Sequence, residues 1–349
     1  MVALKVKFGR LRPFLYPGRE GRILGGVSPV APSTSEYEAV TTGCGLLDRS
    51  ERGKLALTGA EAKSFLQGQV SNDVEALTSG RGCYAAFLTP KGKMLGDLRI
   101  LDTGDELLLD TERVSLQELF NMIRRFSIGY AAQLHKRTLQ RGLLSLIGPA
   151  SVAVAGAVGA PADELPEPEH DHVLGELAGV PVRLIRTDAG LDVLCAAEAT
   201  TEVAQALEAA GALAISEAVA ECRRVEIGRP RYGIDLDETV IPQEADLNHR
   251  AVSFTKGCYV GQETVARLFY RGKPNRQLRG IRLAAPAASG AEITFGDRVV
   301  GRLASVAESP ALGHLALALV RREAPPGSQV SVSSDQVQGV VVELPFLHD

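Results

Sequence analysis

The chain of 349 residues contains no tryptophan, few other aromatic residues and no long apolar segment. Aromatic residues make up 5% of it. Nowhere do about 18 apolar residues follow one another, which excludes a transmembrane helix. Three familiar fingerprints are also absent: the glycine-rich dinucleotide motif, the phosphate-binding P-loop and the zinc-binding H-E-x-x-H. The sequence therefore gives no sign of a nucleotide-dependent or zinc-dependent enzyme of those classes.

The cysteines are few and scattered, and no two of them form a C-x-x-C pair. An odd number at wide spacing speaks against a disulfide framework and against a self-contained zinc or iron–sulfur site. We therefore expect a reducing, cytoplasmic location and no metal site built by this chain alone. A single cysteine that contributes to a cluster shared with another protein stays open. The five are Cys44, Cys83, Cys195, Cys222 and Cys258.

Composition is that of a globular protein with a normal core, since hydrophobic residues make up 45% and charged residues 23%. The length suits two or three domains. A net charge of −4 argues against non-specific nucleic-acid binding. Residues 1–30 are unevenly basic and lack the apolar core of a secretory signal. We interpret residues 1–35 as a flexible basic extension.

The pattern of apolar residues predicts two α+β blocks followed by a small β-barrel. Residues 84–89 and 94–101 read as a hairpin, and residues 116–126 as an amphipathic helix. Residues 161–172 hold three prolines and five acids, which is typical of a surface loop. From residue 277 onward, five short alternating segments are separated by turn signals. Such spacing favours a barrel.

The segment Lys256–Glu263, K-G-C-Y-V-G-Q-E, places one cysteine between two glycines and near a lysine. Glycines allow tight turns and close approach to a ligand. The lysine and a helix start at Gly261 favour the thiolate of Cys258. The alternative is that Cys258 is a small buried apolar residue, the commonest fate of a free cysteine. The other signature residues are Gly257, Tyr259, Gln262 and Glu263.

This octapeptide resembles the signature of the YgfZ family, folate-binding proteins linked to iron–sulfur cluster assembly and tRNA modification. That family is similar to the aminomethyltransferase, or T-protein, of the glycine cleavage system. Residues 223–236, R-R-V-E-I-G-R-P-R-Y-G-I-D-L, resemble the family's segment before its signature. Residues 65–74 and 84–94 resemble its first helix and the following hairpin. Such motif matches are hypotheses about structure as well as function.

The resemblance implies an α+β fold in which two aminomethyltransferase-like subdomains surround a folate channel and a small C-terminal β-barrel follows. We assign residues 36–140 to the first folate-binding subdomain, 141–275 to the second, and 276–349 to the barrel. The implied cofactor is tetrahydrofolate or a derivative. The resemblance places Glu226 against the pteridine; a solvated helix carboxylate paired with an arginine is the alternative. The other implied cofactor-binding residues are Arg224, Tyr232, Tyr84 and Asn72.

Asp97 falls where the aminomethyltransferase has its catalytic aspartate, next to a second acid that is Gly96 here. A working acid needs a pKa shifted by burial or neighbours. Its alternative is a polar strand residue that faces solvent. Together with Cys258, Asp97 is a candidate catalytic residue.

The sequence leaves three candidate functions open. The first is a folate-binding accessory factor in iron–sulfur cluster assembly or repair, with an effect on tRNA modification and with conventional turnover left uncertain. The second is a tetrahydrofolate-dependent aminomethyltransferase of glycine cleavage, an enzyme that lacks the Lys256-Gly257-Cys258 sequence. The third is a folate-binding scaffold without chemistry. For the first we expect a monomer whose partners are folate and iron–sulfur client or assembly proteins, with no stable nucleic-acid binding and no membrane attachment.

Overall fold

The computed structural model of the chain describes residues 32–332 and 337–346. The expected basic extension over residues 1–35 therefore lies almost wholly outside the described residues. Its last two residues already belong to the first helix, which begins at Thr34. The hydroxyl of Ser33 caps this helix by accepting a hydrogen bond from the backbone N–H of Glu36.

Seventeen strands lie within the described part of the chain. They are β1 (Gly45–Asp48), β2 (Gly53–Thr58), β3 (Gly82–Leu88), β4 (Met94–Asp102), β5 (Leu107–Thr111), β6 (Gln133–Lys136), β7 (Arg141–Ile147), β8 (His172–Leu177), β9 (Val180–Thr187), β10 (Gly190–Ala196), β11 (Leu213–Ala214), β12 (Arg276–Leu283), β13 (Glu292–Phe295), β14 (Arg298–Ser309), β15 (Gly313–Arg321), β16 (Gln329–Val332) and β17 (Val337–Val342).

Eight α-helices and two short 3₁₀ turns accompany the strands in the same residues. The helices are α1 (Thr34–Thr42), α2 (Ala62–Gln67), α3 (Leu116–Phe126), α4 (Ser151–Ala157), α5 (Thr200–Ala209), α6 (Glu217–Glu226), α7 (Asn248–Ala251) and α8 (Gln262–Arg271). The 3₁₀ turns are Ala162–Glu164 and Ala197–Ala199. None of the described helices is both long and apolar enough to cross a membrane.

The first sheet has five antiparallel strands in the order β3-β4-β5-β2-β6. Helices α2 and α3 cover it and bury Phe65, Leu66, Leu119 and Ile123 against strand residues such as Leu109. In α3 the buried residues recur four positions apart, so one stripe of the helix faces the core. The predicted hairpin of β3 and β4 and the predicted helix α3 lie where the sequence placed them.

The second sheet has six strands in the order β11-β1-β7-β10-β9-β8. Helices α4 and α5 pack against it, with Val154, Val203 and Leu207 in its core. Strand β1 lies inside this sheet, between β7 and β11, although it precedes the whole of the first sheet in sequence. The two sheets are therefore interlaced, and the boundary that we placed at residue 140 does not separate them.

The last strands form a closed barrel in the order β12-β15-β14-β13-β16-β17. The α+β fold with a C-terminal barrel is thereby confirmed, but the barrel has six strands, not the predicted five. The missed strand is β13, which has only four residues and runs directly into the turn signal Phe295-Gly296-Asp297. Helix α6 packs on the barrel through Cys222 and Val225, which contact Leu315 and Leu317.

Candidate functional site

A cavity of about 240 Å³ opens where the two sheets, helix α6 and the segment after α6 meet. Strand β4 contributes Asp97 and β3 contributes Tyr84, while Tyr232 lines it from the segment after α6. Three residues of the predicted site, distant in sequence, are thus brought together. Strand residues alternate between the two faces of a sheet, so a few strand positions supply the cavity wall and their neighbours supply the core.

The cavity wall is strongly basic, with eight arginines against four acids. All eight of these arginines form ion pairs with carboxylates of the described residues. Arg99, for example, bridges Asp110 at 2.7 Å and Asp192 at 2.6 Å. Arg52 also contacts Asp110, at 3.0 Å, and the two arginines hold the pKa of that carboxyl well below its usual range. The pairs fix the wall in place, and the guanidinium groups that line it are donors suited to the carboxylates of an anionic ligand.

Asp97 is buried and its Oδ2 accepts a hydrogen bond of 2.6 Å from the Tyr84 hydroxyl. Burial raises the pKa of Asp97 to about 6, and the Tyr84 hydrogen bond opposes that shift only in part. The carboxyl group therefore titrates close to neutral pH. It has the property that a general acid or base requires, and it is not the solvent-facing strand residue of the alternative interpretation.

Arg224 lines the cavity, but its guanidinium is already engaged. Glu221 lies 2.7 Å from Nη2 and Asp235 lies 2.8 Å from Nη1. The Ser305 hydroxyl of β14 accepts a third hydrogen bond, at 2.6 Å. These contacts tie α6 to the barrel and to the segment after the helix, so Arg224 shapes the wall.

The structure does not bring Glu226 to this cavity, contrary to the sequence prediction. Its side chain is fully buried at the junction of α6 with the barrel. Oε1 accepts hydrogen bonds from Tyr37 at 2.7 Å and Ser309 at 2.5 Å, and Oε2 accepts one from Arg223 at 2.9 Å. The carboxylate is neither solvated nor directed at a ligand; it joins α1, α6 and β14.

Asn72 also lies behind the cavity wall and not in it. Its amide donates to the backbone carbonyls of Tyr84, at 2.8 Å, and Arg250, at 3.2 Å. These two bonds hold β3 against α7. The predicted role of Asn72 in cofactor binding therefore becomes indirect: the side chain positions two residues that do line the cavity.

The signature segment is anchored by Lys256. Its ammonium group donates to the carbonyls of Gln67, Val70 and Asn72 at 2.6–2.8 Å, just beyond the end of α2. Burial lowers the pKa of Lys256 to about 8. The lysine thus caps backbone carbonyls, and its charge is committed there, not to the neighbouring thiol as the sequence suggested.

The end of the signature is shaped by Gly261, which precedes α8 with φ of +86°. A Cβ atom there would lie 2.6 Å from the carbonyl oxygen of Thr89, so only glycine fits. Tyr259 is buried in a cluster that also contains Tyr232 and Tyr84, and this cluster connects the segment to the cavity wall. Gln262 and Glu263 form the first turn of α8.

Cys258 is exposed, whereas Cys44, Cys195 and Cys222 are buried and Cys83 is half-buried. Gly257, the preceding residue, has open space around its Cα. Cys258 does not line the cavity. The sequence prediction that the thiol is presented is therefore favoured over the buried alternative, but the thiol and Asp97 occupy two separate places.

His170 and Arg250 are among the cavity residues that the sequence analysis missed. His170 is only 7% exposed and takes a left-handed backbone conformation, with φ of +76°. The proline-rich, acidic residues 161–172 read as a surface loop, yet the last three of them are buried. A histidine and an arginine without a motif offered no signal. His170 reaches the cavity through the packing of its segment against Gly82 of β3, and Arg250 reaches it from helix α7.

Two protein-family profiles match the chain, one over its N-terminal part and one over its C-terminal part. A profile of the GCVT N-terminal domain matches residues 7–256. A profile of the glycine cleavage T-protein C-terminal barrel domain matches residues 276–348. The second match covers the closed barrel.

Individual relatives are distant in sequence, but each match extends over most of this chain and most of the relative. A chloroplastic protein of Arabidopsis thaliana that carries the name of a transferase is 28% identical, over 89% of this chain and 73% of that protein. An aminomethyltransferase of Streptomyces coelicolor is also 28% identical, over 89% and 88%. The crystal structure of glycine cleavage system aminomethyltransferase T from Bartonella henselae superposes with a TM-score of 0.80 at 22% identity, covering 90% of this chain and 89% of that one. That superposition establishes the shared fold.

Proposed function

The chain belongs to the glycine cleavage T-protein family, and we propose that within it the protein is a folate-binding accessory factor of the YgfZ type. It would support the assembly or repair of iron–sulfur enzymes, with an effect on tRNA modification by such enzymes. The observation that carries the proposal is the exposed thiol of Cys258 on a signature segment held rigid by Lys256.

The residues on both sides of Cys258 are anchored, so its thiol is exposed in a fixed position. Three carbonyl contacts hold Lys256, two residues before it, and Tyr259, directly after it, is buried. Between these anchors Gly257 and Cys258 face outward. A group that must meet a partner protein needs this combination of exposure and fixed position. Iron–sulfur client or assembly proteins are the proposed partners.

Folate is the proposed cofactor, and the cavity suits it in three respects. The arginines that line the wall offer guanidinium donors to the carboxylates of the glutamate tail. Tyr84 and Tyr232 offer aromatic surface to a flat ring. Buried polar groups in the wall have no hydrogen-bond partner within the described residues, which is typical of a site that recognises a ligand.

A second function, tetrahydrofolate-dependent aminomethyl transfer, is favoured by one observation. Asp97 lies in the cavity with its pKa raised to about 6. We rank it second because a neighbouring acid has no room. A Cβ atom on Gly96 would lie 2.5 Å from the ring of Phe87 and 2.7 Å from Cβ of Ser115. The paired acids of the aminomethyltransferase are thus reduced to one.

The proposal is tested by Cys258→Ala, with Thr255→Ala, another exposed change in the same segment, as the matched control. We expect Cys258→Ala to fold normally and bind tetrahydrofolate by calorimetry, but to fail to restore iron–sulfur enzyme activity in cells that lack the protein. Thr255→Ala should restore it. Full rescue by Cys258→Ala would remove the thiol from the function.

Two further measurements separate the alternatives. Timed iodoacetamide labelling followed by mass spectrometry should modify Cys258 before the other four cysteines, because it alone is exposed. Mixing the protein with aminomethyl-lipoyl carrier protein and tetrahydrofolate should give no useful methylene-tetrahydrofolate. Robust product formation that is lost in Asp97→Asn would reverse the ranking of the two functions.

A further inference from the structure

Two buried polar atoms in the cavity wall have no hydrogen-bond partner in the described part of the protein: Nδ1 of His170 and Nε of Arg250. Both residues line the cavity. Leaving such an atom unpaired is unfavourable, because it loses its hydrogen bonds to water and gains none in the protein. Native structures rarely tolerate that without a reason, and two such atoms in one wall ask for a shared explanation.

The two side chains meet at one corner of the cavity. Nη2 of Arg250 lies 2.6 Å from Oε1 of Glu169, and Nε2 of His170 lies 3.4 Å from the same oxygen. Both also flank one ring: Cζ of Arg250 is 5.2 Å from the ring centroid of Tyr84, and the imidazole centroid is 6.1 Å from it. Tyr84 in turn donates to Asp97.

The polarity of the two unpaired atoms is fixed. Burial lowers the pKa of His170 to about 3, so its ring is neutral at ordinary pH. With Nε2 facing the Glu169 carboxylate, Nε2 carries the hydrogen and Nδ1 is left as an acceptor. Arg250 Nε–H is always a donor. The corner therefore offers one acceptor and one donor.

His170 is held rigidly in this orientation. Its backbone N–H donates to the carbonyl of Arg186 at 2.9 Å. Strand β3 passes so close that a Cβ atom on Gly82 would lie 2.5 Å from the carbonyl oxygen of His170 and 3.0 Å from its Cβ. A donor or acceptor held by packing discriminates between ligands better than a mobile one.

We propose that this corner recognises the cyclic amide edge of a heterocycle, a ring N–H beside a ring C=O. The N–H donates to Nδ1 of His170, and the carbonyl oxygen accepts from Nε of Arg250. The 2-amino-4-oxopteridine of folate carries such an edge, so the inference rests on the proposed folate function. It assigns pteridine recognition to His170 and Arg250, two residues outside the signature and outside the predicted cofactor set.

The test uses folic acid and aminopterin, which differ only at this edge. In aminopterin the carbonyl is an amino group and the ring N–H is a bare nitrogen, so donor and acceptor are exchanged. Calorimetry with the wild-type protein should show folic acid bound at least roughly tenfold more tightly, because both contacts are mismatched in the analogue. Equal affinity would overturn the inference, and this arm depends on no variant.

Two variants of His170 then test whether this residue causes the preference for folic acid over aminopterin. His170→Gly suits the left-handed backbone and removes the acceptor, so the preference should fall to about threefold or less. His170→Asn also tolerates that backbone. Its amide oxygen replaces Nδ1, so the preference should persist. A preference that survives unchanged in a folded His170→Gly contradicts the inference.

Direct binding of tetrahydrofolate to the wild-type protein separates the two levels of the argument. If tetrahydrofolate binds but folic acid and aminopterin are not distinguished, the recognition corner is wrong and the folate function stands. If neither tetrahydrofolate nor folic acid binds, the folate function fails and the inference fails with it.

Discussion

The hydroxyl of Tyr84 donates a hydrogen bond of 2.6 Å to Oδ2 of Asp97 inside the cavity. The two residues lie on neighbouring antiparallel strands, β3 and β4, close to each other in the register. Burial of the carboxyl outweighs this hydrogen bond, so the pKa of Asp97 rises to about 6. Both residues belong to the predicted site, and their contact sets the protonation state on which any proton transfer there depends.

The raised pKa of Asp97 predicts a stability change in Asp97→Asn. In the unfolded chain the carboxyl titrates near ~3.9. Below about pH 4 the carboxyl is protonated in both the folded and the unfolded protein, so its burial carries no charge penalty. The cost grows as the pH rises to about 6 and is complete above it, reaching about 3 kcal/mol. Urea unfolding should therefore show Asp97→Asn to be more stable than the wild type at pH 7, with the difference vanishing near pH 4. A destabilised variant at pH 7 would contradict the assignment.

Tyr84→Phe provides the complementary change. The hydroxyl lowers the pKa of Asp97, although less than burial raises it. Removing the hydroxyl should therefore raise the pKa further, which carbon NMR of the labelled carboxyl measures directly. A lower pKa in the variant would show that the hydrogen bond does not act as described.

Lys256→Met should destabilise the protein by about 2–4 kcal/mol, because it leaves three backbone carbonyls without their charged donor. Lys273→Met is the matched control: Lys273 is exposed, so the same change should fall within about 0.5 kcal/mol of the wild type. Thermal and urea unfolding of both variants give the comparison. Similar stabilities for the two would mean that the cap contributes little.

Glu226→Gln separates the structural role of this residue from the ligand contact that the sequence implied. The amide retains the shape, and its oxygen can still accept from Tyr37 and Ser309, but its NH2 group then takes the place of Oε2 and faces the donor of Arg223. We expect a loss of about 1.5–3 kcal/mol in stability and tetrahydrofolate affinity within about threefold of the wild type. A tenfold loss of affinity without loss of stability would restore the pteridine contact.

Gly96→Ala should cost roughly 1–3 kcal/mol or more, because the new methyl group meets the ring of Phe87, which is only 1% exposed. Gly156→Ala is the control: Gly156 lies in α4 with no atom within 4 Å of the added carbon. That variant should gain about 0.5–1 kcal/mol. Calorimetric melting of both distinguishes crowding from a general effect of replacing glycine. If Gly96→Ala is neutral, the position has room for an acid after all.

The fold was predictable where the sequence carries periodicity. The stripe through Leu119 and Ile123 gave α3, and alternating apolar residues gave β3, β4 and most of the barrel. Strand β13 escaped because it has only four residues and ends in Phe295-Gly296-Asp297, which reads as a turn. The placement of β1 in the second sheet is a matter of long-range pairing, which local patterns do not encode.

The site was only partly predictable, because sequence motifs identify residues but do not show where each side chain points. Asp97, Tyr84 and Tyr232 do line the cavity. Glu226 does not, because its carboxylate is bound by Tyr37 of α1 and Ser309 of barrel strand β14, and no local pattern encodes those long-range partners. Lys256 looked like a neighbour that activates the thiol, yet its long side chain reaches back to α2. His170 lies in a segment whose composition suggested solvent, and only tertiary packing buries it.

The long-range pairing of β1 also determines when each sheet can be completed during synthesis on the ribosome. Its partners are β7 and β11, and residues 213–214 emerge more than 160 positions after Gly45. The first sheet closes with β6, whose last residue is Lys136, and all of its strands are then available. During synthesis, therefore, all strands of the five-stranded sheet have been made before either partner of β1. Neither partner of β1 exists until translation reaches β7, more than 90 positions later, and the second sheet is therefore built onto a strand made before the whole of the first sheet.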